Sequence, residues 1–312
     1  PHIAMTMTSL SPLLIAAGRY DEAETRARDA LDLLEANLPP DHPFIAFGVN
    51  NLAAALNARG QFREAEPVFR RLLDIRRAQL GNTHEQLGIT LNGLAFALAG
   101  QGQFVEAETL YQAAADMFAR TVGPQTSETL QALTNAGDAA EAAGQQEQAL
   151  ALRMQVLASA DGGEFAPDSS LRVTARERLG QSLIETGQDP QQGLALIAQA
   201  QALRAQWSDG QHPDYLMGEV VLGWAEAALG TGQDVLATDP IEATGSRRAT
   251  RAVRALAALP AGPDQRRWSG LTERAMAAAW QDGDMEGAFY LAQIHLENET
   301  GAAIRQMTAR LA

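Results

Sequence analysis

Between residues 43 and 80 the apolar positions fall at helical spacing in two successive blocks. Ile45, Val49, Leu52, Ala53 and Leu56 share one stripe, and Phe62, Ala65, Phe69, Leu72 and Leu73 share the next. Gly60 separates the blocks, and equivalent glycines stand at Gly18, Gly102 and Gly144, each 42 residues from its neighbour. Gly187 and Gly232 continue the series after 43 and 45 residues, and Gly283 marks a degenerate last unit. The phrase around the glycine recurs as well: AAGRYDEAE at 16–24, ARGQFREAE at 58–66 and GQGQFVEAE at 100–108. A second marker keeps the same beat, as LPPDHP at 38–43, LGNTHE at 80–85, VGPQTS at 122–127 and GQHP at 210–213.

This pattern predicts a repeated pair of helices. Glycine tolerates the left-handed conformation that ends the first helix of each pair. Pro43 suits a first helical turn, where its missing N–H costs nothing. Thr83 with Gln86 reads as a capping box at the start of another helix. Small residues at Ala53, Ala65, Ala95 and Ala107 let paired helices approach closely. A single hairpin cannot bury its apolar face alone, so the units must stack. The expected fold class is all-α, a solenoid of stacked antiparallel hairpins.

VNNLA at 49–53, LNGLA at 91–95, Gly-Gln-Phe at 60–62 and 102–104, the EAE that follows and DHP at 41–43 together resemble the tetratricopeptide repeat. The 42-residue period is similar to its kinesin-light-chain subtype, which is abundant in bacteria. The resemblance is close over 1–144 and looser over 145–232, giving an expected array of about five and a half hairpins over 1–232. Residues 233–312 read as a degenerate repeat with capping helices. ATDPIEATGS (237–246) interrupts the pattern, a helix resumes over 246–259, Pro260 to Pro263 breaks it, and final helices are expected near 268–281, 284–298 and 300–311. PHIA at 1–4 aligns with PFIA at 43–46, so the chain is expected to be cut from something longer.

The resemblance implies a right-handed superhelix in which the first helix of each hairpin lines a concave groove. The positions opposite the core stripe are then Phe47, Asn50, Ala54 and Asn57 in the second unit, matched by Met5, Thr8, Pro12 and Ile15 in the first. Ile89, Asn92, Phe96 and Ala99 follow in the third, and Gln131, Thr134, Asp138 and Glu141 in the fourth. Asparagine within a helix costs roughly half a kcal/mol relative to alanine, so Asn50, Asn57 and Asn92 call for a reason. Their amides either bind the backbone of an extended partner peptide beside Phe47 and Phe96, or bridge neighbouring helices and face water. The candidate binding set is Phe47, Asn50, Asn57, Ile89, Asn92, Phe96, Gln131, Thr134 and Asp138.

Composition narrows the function classes. The net charge of −14 argues against a nucleic-acid or anionic-membrane surface. All 24 basic residues are Arg, a bias expected of a GC-rich bacterial gene. The absence of Cys excludes thiolate chemistry and Cys-based zinc sites. No stretch reaches the roughly 18 apolar residues of a membrane span, and the first residues lack the regions of a secretory signal. Cytoplasmic placement is the default expectation, and periplasmic placement follows if an upstream segment carries a transmembrane helix.

Other motifs read as structural. His42, His84 and His212 recur at one repeat position and are expected to start helices, since no acidic partner is spaced to complete a metal shell. DGDMEG (282–287) opens like a calcium loop, but its twelfth position is Gln293, so a turn is expected. GQGQF and GTGQD follow helices rather than strands and do not form phosphate loops. Arg247, Arg251 and Arg254 form a basic stripe, either a solvated face or a docking patch for an acidic partner. No catalytic constellation stands out, and no cofactor or metal is expected. The expected function is a non-catalytic module that holds a protein or peptide partner, with self-association left open. The alternative is a sensor segment of a larger signalling protein, such as a bacterial serine/threonine kinase, with any catalysis upstream.

Overall fold

The computed structural model describes residues 10–40, 42–163, 165–166, 169–207 and 212–229, with 249, 276 and 279 besides. Packing divides the chain into two compact units, Pro1–Glu164 and Phe165–Ala312. Every regular element among the described residues is helical.

In the first unit, α1 (10–16) leads into α2 (Tyr20–Asn37), α3 (Pro43–Arg59), α4 (Phe62–Leu80), α5 (Glu85–Gly100), α6 (Phe104–Thr121), α7 (Ser127–Ala142) and α8 (Gln146–Gly162). Within the run from α2 to α8 successive helices pack on one another, and α3 also meets α5 directly. The turns within hairpins are short because Gly18, Gly60, Gly102 and Gly144 take φ between 73° and 80°, a left-handed conformation that side chains with Cβ resist. The predicted stripes are the core. Ile45, Val49, Leu52, Ala53 and Leu56 are buried, as are Ala65, Phe69, Leu72 and Leu73. Ala53, Ala65, Ala95 and Ala107 are all fully enclosed where helices meet. Phe62 departs from its stripe: it is half-buried and meets Phe96 edge-on, with centroids 5.7 Å apart.

The helix starts correct one expectation. Pro43 does occupy the first turn of α3, but α5 is capped by His84 rather than by a Thr83–Gln86 box. His84 is extended, and its Nδ1 accepts the Gln86 N–H at 3.1 Å. A side chain two residues ahead of that N–H already satisfies it, so the helix opens one residue later than the box requires. His42 does the same for Phe44 (3.1 Å) and His212 for Asp214 (3.2 Å). The recurrent histidines are helix-start residues, as their spacing predicts. Thr126, at the same position before α7, caps through Oγ1 instead.

In the second unit α9 (Ser170–Glu185), α10 (Pro190–Trp207) and α11 (Pro213–Ala228) pack together, with α10 against both others. Gly180 and Gly193 let α9 and α10 touch backbone to backbone, since a Cβ on either would lie 2.6 Å from the other's carbonyl oxygen. Ile197, Val221, Leu222 and Ala225 form the local core, with Ile184, Leu194 and Trp224 packed against it.

Among the described residues no helix is long and apolar enough to cross a membrane. The Gly232 and Gly283 turns, the 237–246 interruption, the final helices apart from residues 276 and 279, DGDMEG and the Arg247, Arg251 and Arg254 stripe lie outside the described residues.

Candidate functional site

Helices α3, α5 and α7 each present a second face away from their buried residues. Large apolar side chains stand out on it: Phe47 is 38% exposed, Ile89 45% and Phe96 49%. Phe47 and Ile89 occupy one register position on α3 and α5, and Gln131, also exposed, holds it on α7. Exposed aromatic and branched side chains grouped on one face are unusual where water is the only neighbour.

One turn further along, Asn50, Asn92 and Thr134 hold the next register position, and all three are half-buried. Asn50 Oδ1 accepts from Arg76 Nη2 at 3.2 Å. Asn92 Oδ1 accepts from Asn135 Nδ2 at 3.2 Å, and Asn135 Oδ1 accepts from Gln131 Nε2 at 3.0 Å. Within the described chain, therefore, both Asn50 and Asn92 engage their carbonyl oxygens and keep Nδ2 uncommitted. Thr134 turns its hydroxyl back onto the Leu130 carbonyl at 2.8 Å.

The last two candidates are committed to the fold. Asn57 Nδ2 donates to the Gly93 carbonyl at 2.9 Å, so it ties α3 to α5. Asp138 pairs with Arg153 at 3.0 Å, and Glu141 takes the same guanidinium. Burial alone would lower the Arg153 pKa; the two carboxylates outweigh it and hold the pKa above the usual value. For Asn57 the bridging reading of the amides is the one the geometry supplies.

Sequence reasoning missed Arg76. It continues the Phe69, Leu72, Leu73 spacing and is 7% exposed on α4. Its Nη1 donates to the Gln86 carbonyl (3.0 Å) and to Thr90 Oγ1 (2.6 Å). Its Nε is buried without a partner, and burial pushes the guanidinium pKa down to about 10. A charged residue on a core stripe was the signal that could have found it. The described residues offer no cluster of three His, Asp or Glu that could hold a metal. A shallow depression of about 610 Å³ lies apart from this face, lined by Glu108 and the Gly144 to Gln148 turn.

Comparison with known proteins follows the same lines. A family model described as Tetratricopeptide repeat matches at residues 2–78, 44–104 and 86–161. No curated protein matches the chain. Among solved structures, a putative kinesin light chain with TPR-like repeats from Podosopora anserina is 23% identical, with TM-score 0.59, covering 66% of this chain and 96% of its own. The apo form of RapI superposes at TM-score 0.70 and 10% identity, over 95% of this chain and 97% of its own. A Rap protein complexed with competence and sporulation factor gives TM-score 0.53 and 11% identity, over 97% and 99%.

Proposed function

The chain belongs to the tetratricopeptide repeat family, and from that premise we propose that it holds an extended segment of a partner protein along the α3–α5–α7 face. The fold is one that fits a protein-interaction module. The observation that carries the reading is the register match of Asn50 and Asn92. Each keeps an amide Nδ2 free of partners within the described chain, and each has an exposed Phe47 or Ile89 one turn away. Spaced amide donors suit the carbonyls of an extended backbone, and the apolar side chains suit alternate residues of the same strand. Phe96 extends the apolar part and is braced by Phe62. Gln131 belongs to the same face, whereas Asn57 and Asp138 support it from below. The Rap protein solved with a bound factor has the same fold, which supports a ligand-holding role without specifying its chemistry.

Panning a display library of short random peptides against the full chain tests this reading. The expected result is an enriched set of sequences whose binding is lost in Phe47→Ser and Phe96→Ser variants and kept in Val105→Ser, an exposed residue on α6. Selection that is indifferent to Phe47 and Phe96, or that depends on Val105, would overturn it.

A further inference from the structure

We infer that Arg76 and Asn50 form an anion site that receives an aspartate or glutamate side chain from the partner segment held along the α3–α5 face. The inference rests on the reading above and adds the chemistry of one partner residue.

A guanidinium has five N–H donors. Arg76 uses three of them, and all three go to neutral acceptors: the Gln86 carbonyl, Thr90 Oγ1 and Asn50 Oδ1. No carboxylate among the described residues pairs with it. The chain's two other described arginines of similar burial are treated differently. Arg153 holds Asp138 and Glu141, and Arg204 holds Glu177. A buried charge without a partner is costly, and protein interiors ordinarily supply one. Two donors remain: Nε–H is enclosed, while the second N–H on Nη2 stands beside the uncommitted Nδ2 of Asn50. Nη2 and Nδ2 together offer two N–H groups suited to the two oxygens of a carboxylate.

Position selects a side chain rather than a chain end. Asn50 sits one turn from exposed Phe47 on α3, and Thr90 is next to exposed Ile89 on α5. Apolar contacts on both helices beside the site require the partner chain to continue past it. The net charge of −14 does not forbid an acidic partner. Diffuse surface charge is screened beyond about 8 Å at physiological ionic strength, while a buried guanidinium is screened far less.

The test uses the full chain and has two arms. In the first, Asn50→Asp places a carboxylate where the amide oxygen already meets Arg76. The variant is expected to melt higher than the parent, and the gain should vanish in Asn50→Asp with Arg76→Gln. A lower melting temperature for Asn50→Asp would show that Arg76 lacks no countercharge and would overturn the proposal. In the second arm, peptides enriched by panning are expected to share an acidic residue at a fixed distance from an apolar one. Exchanging that residue for its amide, or panning with Asn50→Asp, should weaken binding about tenfold or more. Enriched peptides with no acidic preference would sink the anion site and leave the face intact as a binding surface. Peptides that tolerate the amide exchange but lose binding on C-terminal amidation would overturn the side-chain assignment in favour of a terminal carboxylate. If no peptide is enriched the face itself fails, and the melting of Asn50→Asp still decides whether Arg76 awaits an anion.

Discussion

Asn57 on α3 donates its amide to the carbonyl of Gly93 on α5, 2.9 Å away and 36 residues along the chain. The bond joins successive hairpins across their shared face rather than within one of them. Its Oδ1 is buried without a partner, so the residue gives up one hydrogen bond to make another. Asn57→Ala removes both the bond and the orphaned oxygen. The expected loss is therefore at the low end for a buried hydrogen bond, about 0.5–1 kcal/mol. A drop of about 1–2 °C in Tm with partner affinity unchanged would be the outcome. Affinity that falls while Tm holds would return Asn57 to the binding surface.

Gly93 is also where α4 crowds α5. A Cβ there would stand 2.4 Å from the Phe69 ring, which is 5% exposed and cannot move aside. Alanine gains about 1 kcal/mol of helix propensity over glycine, but overpacking a tight core costs about 1–3 kcal/mol. The clash is expected to win, and Gly93→Ala should destabilise. Gly100→Ala faces an equally close ring, Phe62, but that ring is half-buried and has room to turn. Equilibrium urea unfolding should rank Gly93→Ala clearly below Gly100→Ala, and Gly93→Ala with Phe69→Leu should recover part of the loss.

These two residues mark how far the sequence is legible. Periodicity gave the stripes of α3 and α4, because apolar burial leaves a mark at every third or fourth position. It also placed Phe47, Ile89 and Phe96 outside the core, since their phase opposes it. It could not tell Asn57 from Asn50 and Asn92. All three share one helical face, and only the approach of Gly93 commits the first of them to the fold. The amide oxygen of Asn50 is likewise set by Arg76, a residue from another helix whose partner depends on how the hairpins stack. Phase along one helix is local information; which polar atoms meet across helices is not.

Glu24 on α2 provides a pH-dependent contribution. It is 7% exposed and bonds Arg28 Nε at 2.8 Å and Arg59 of α3. Burial works to raise its pKa, but the hydrogen bonds from Arg59 and Arg28 and their charges outweigh it, and the pKa lies below the usual value. A carboxyl depressed in the folded state stabilises above its unfolded pKa, about 4.3. That stabilisation is lost as the pH falls through the lower folded value. Both arginines are substantially exposed and can rehydrate, so Glu24→Gln should cost only about 1 kcal/mol at neutral pH. Urea midpoints measured down the pH scale should show parent and variant converging in acid. A gap that stays constant to about pH 2 would mean that packing, not charge, carries the residue.

The helix starts yield a sharper contrast. His84 caps α5 through Nδ1 to the Gln86 N–H at 3.1 Å, and Thr126 fills the equivalent position before α7 with a hydroxyl. What the position requires is an acceptor close to the backbone, not an imidazole. Asparagine offers such an acceptor and ranks among the best N-cap residues, whereas alanine offers none. His84→Ala should therefore lose about 1 kcal/mol, and His84→Asn should match or exceed the parent in thermal melting. Thr83→Ala should cost less than His84→Ala, because the cap belongs to His84. If instead Thr83→Ala proves the more damaging of the two, the Thr83–Gln86 box operates in solution and the helix begins one residue earlier.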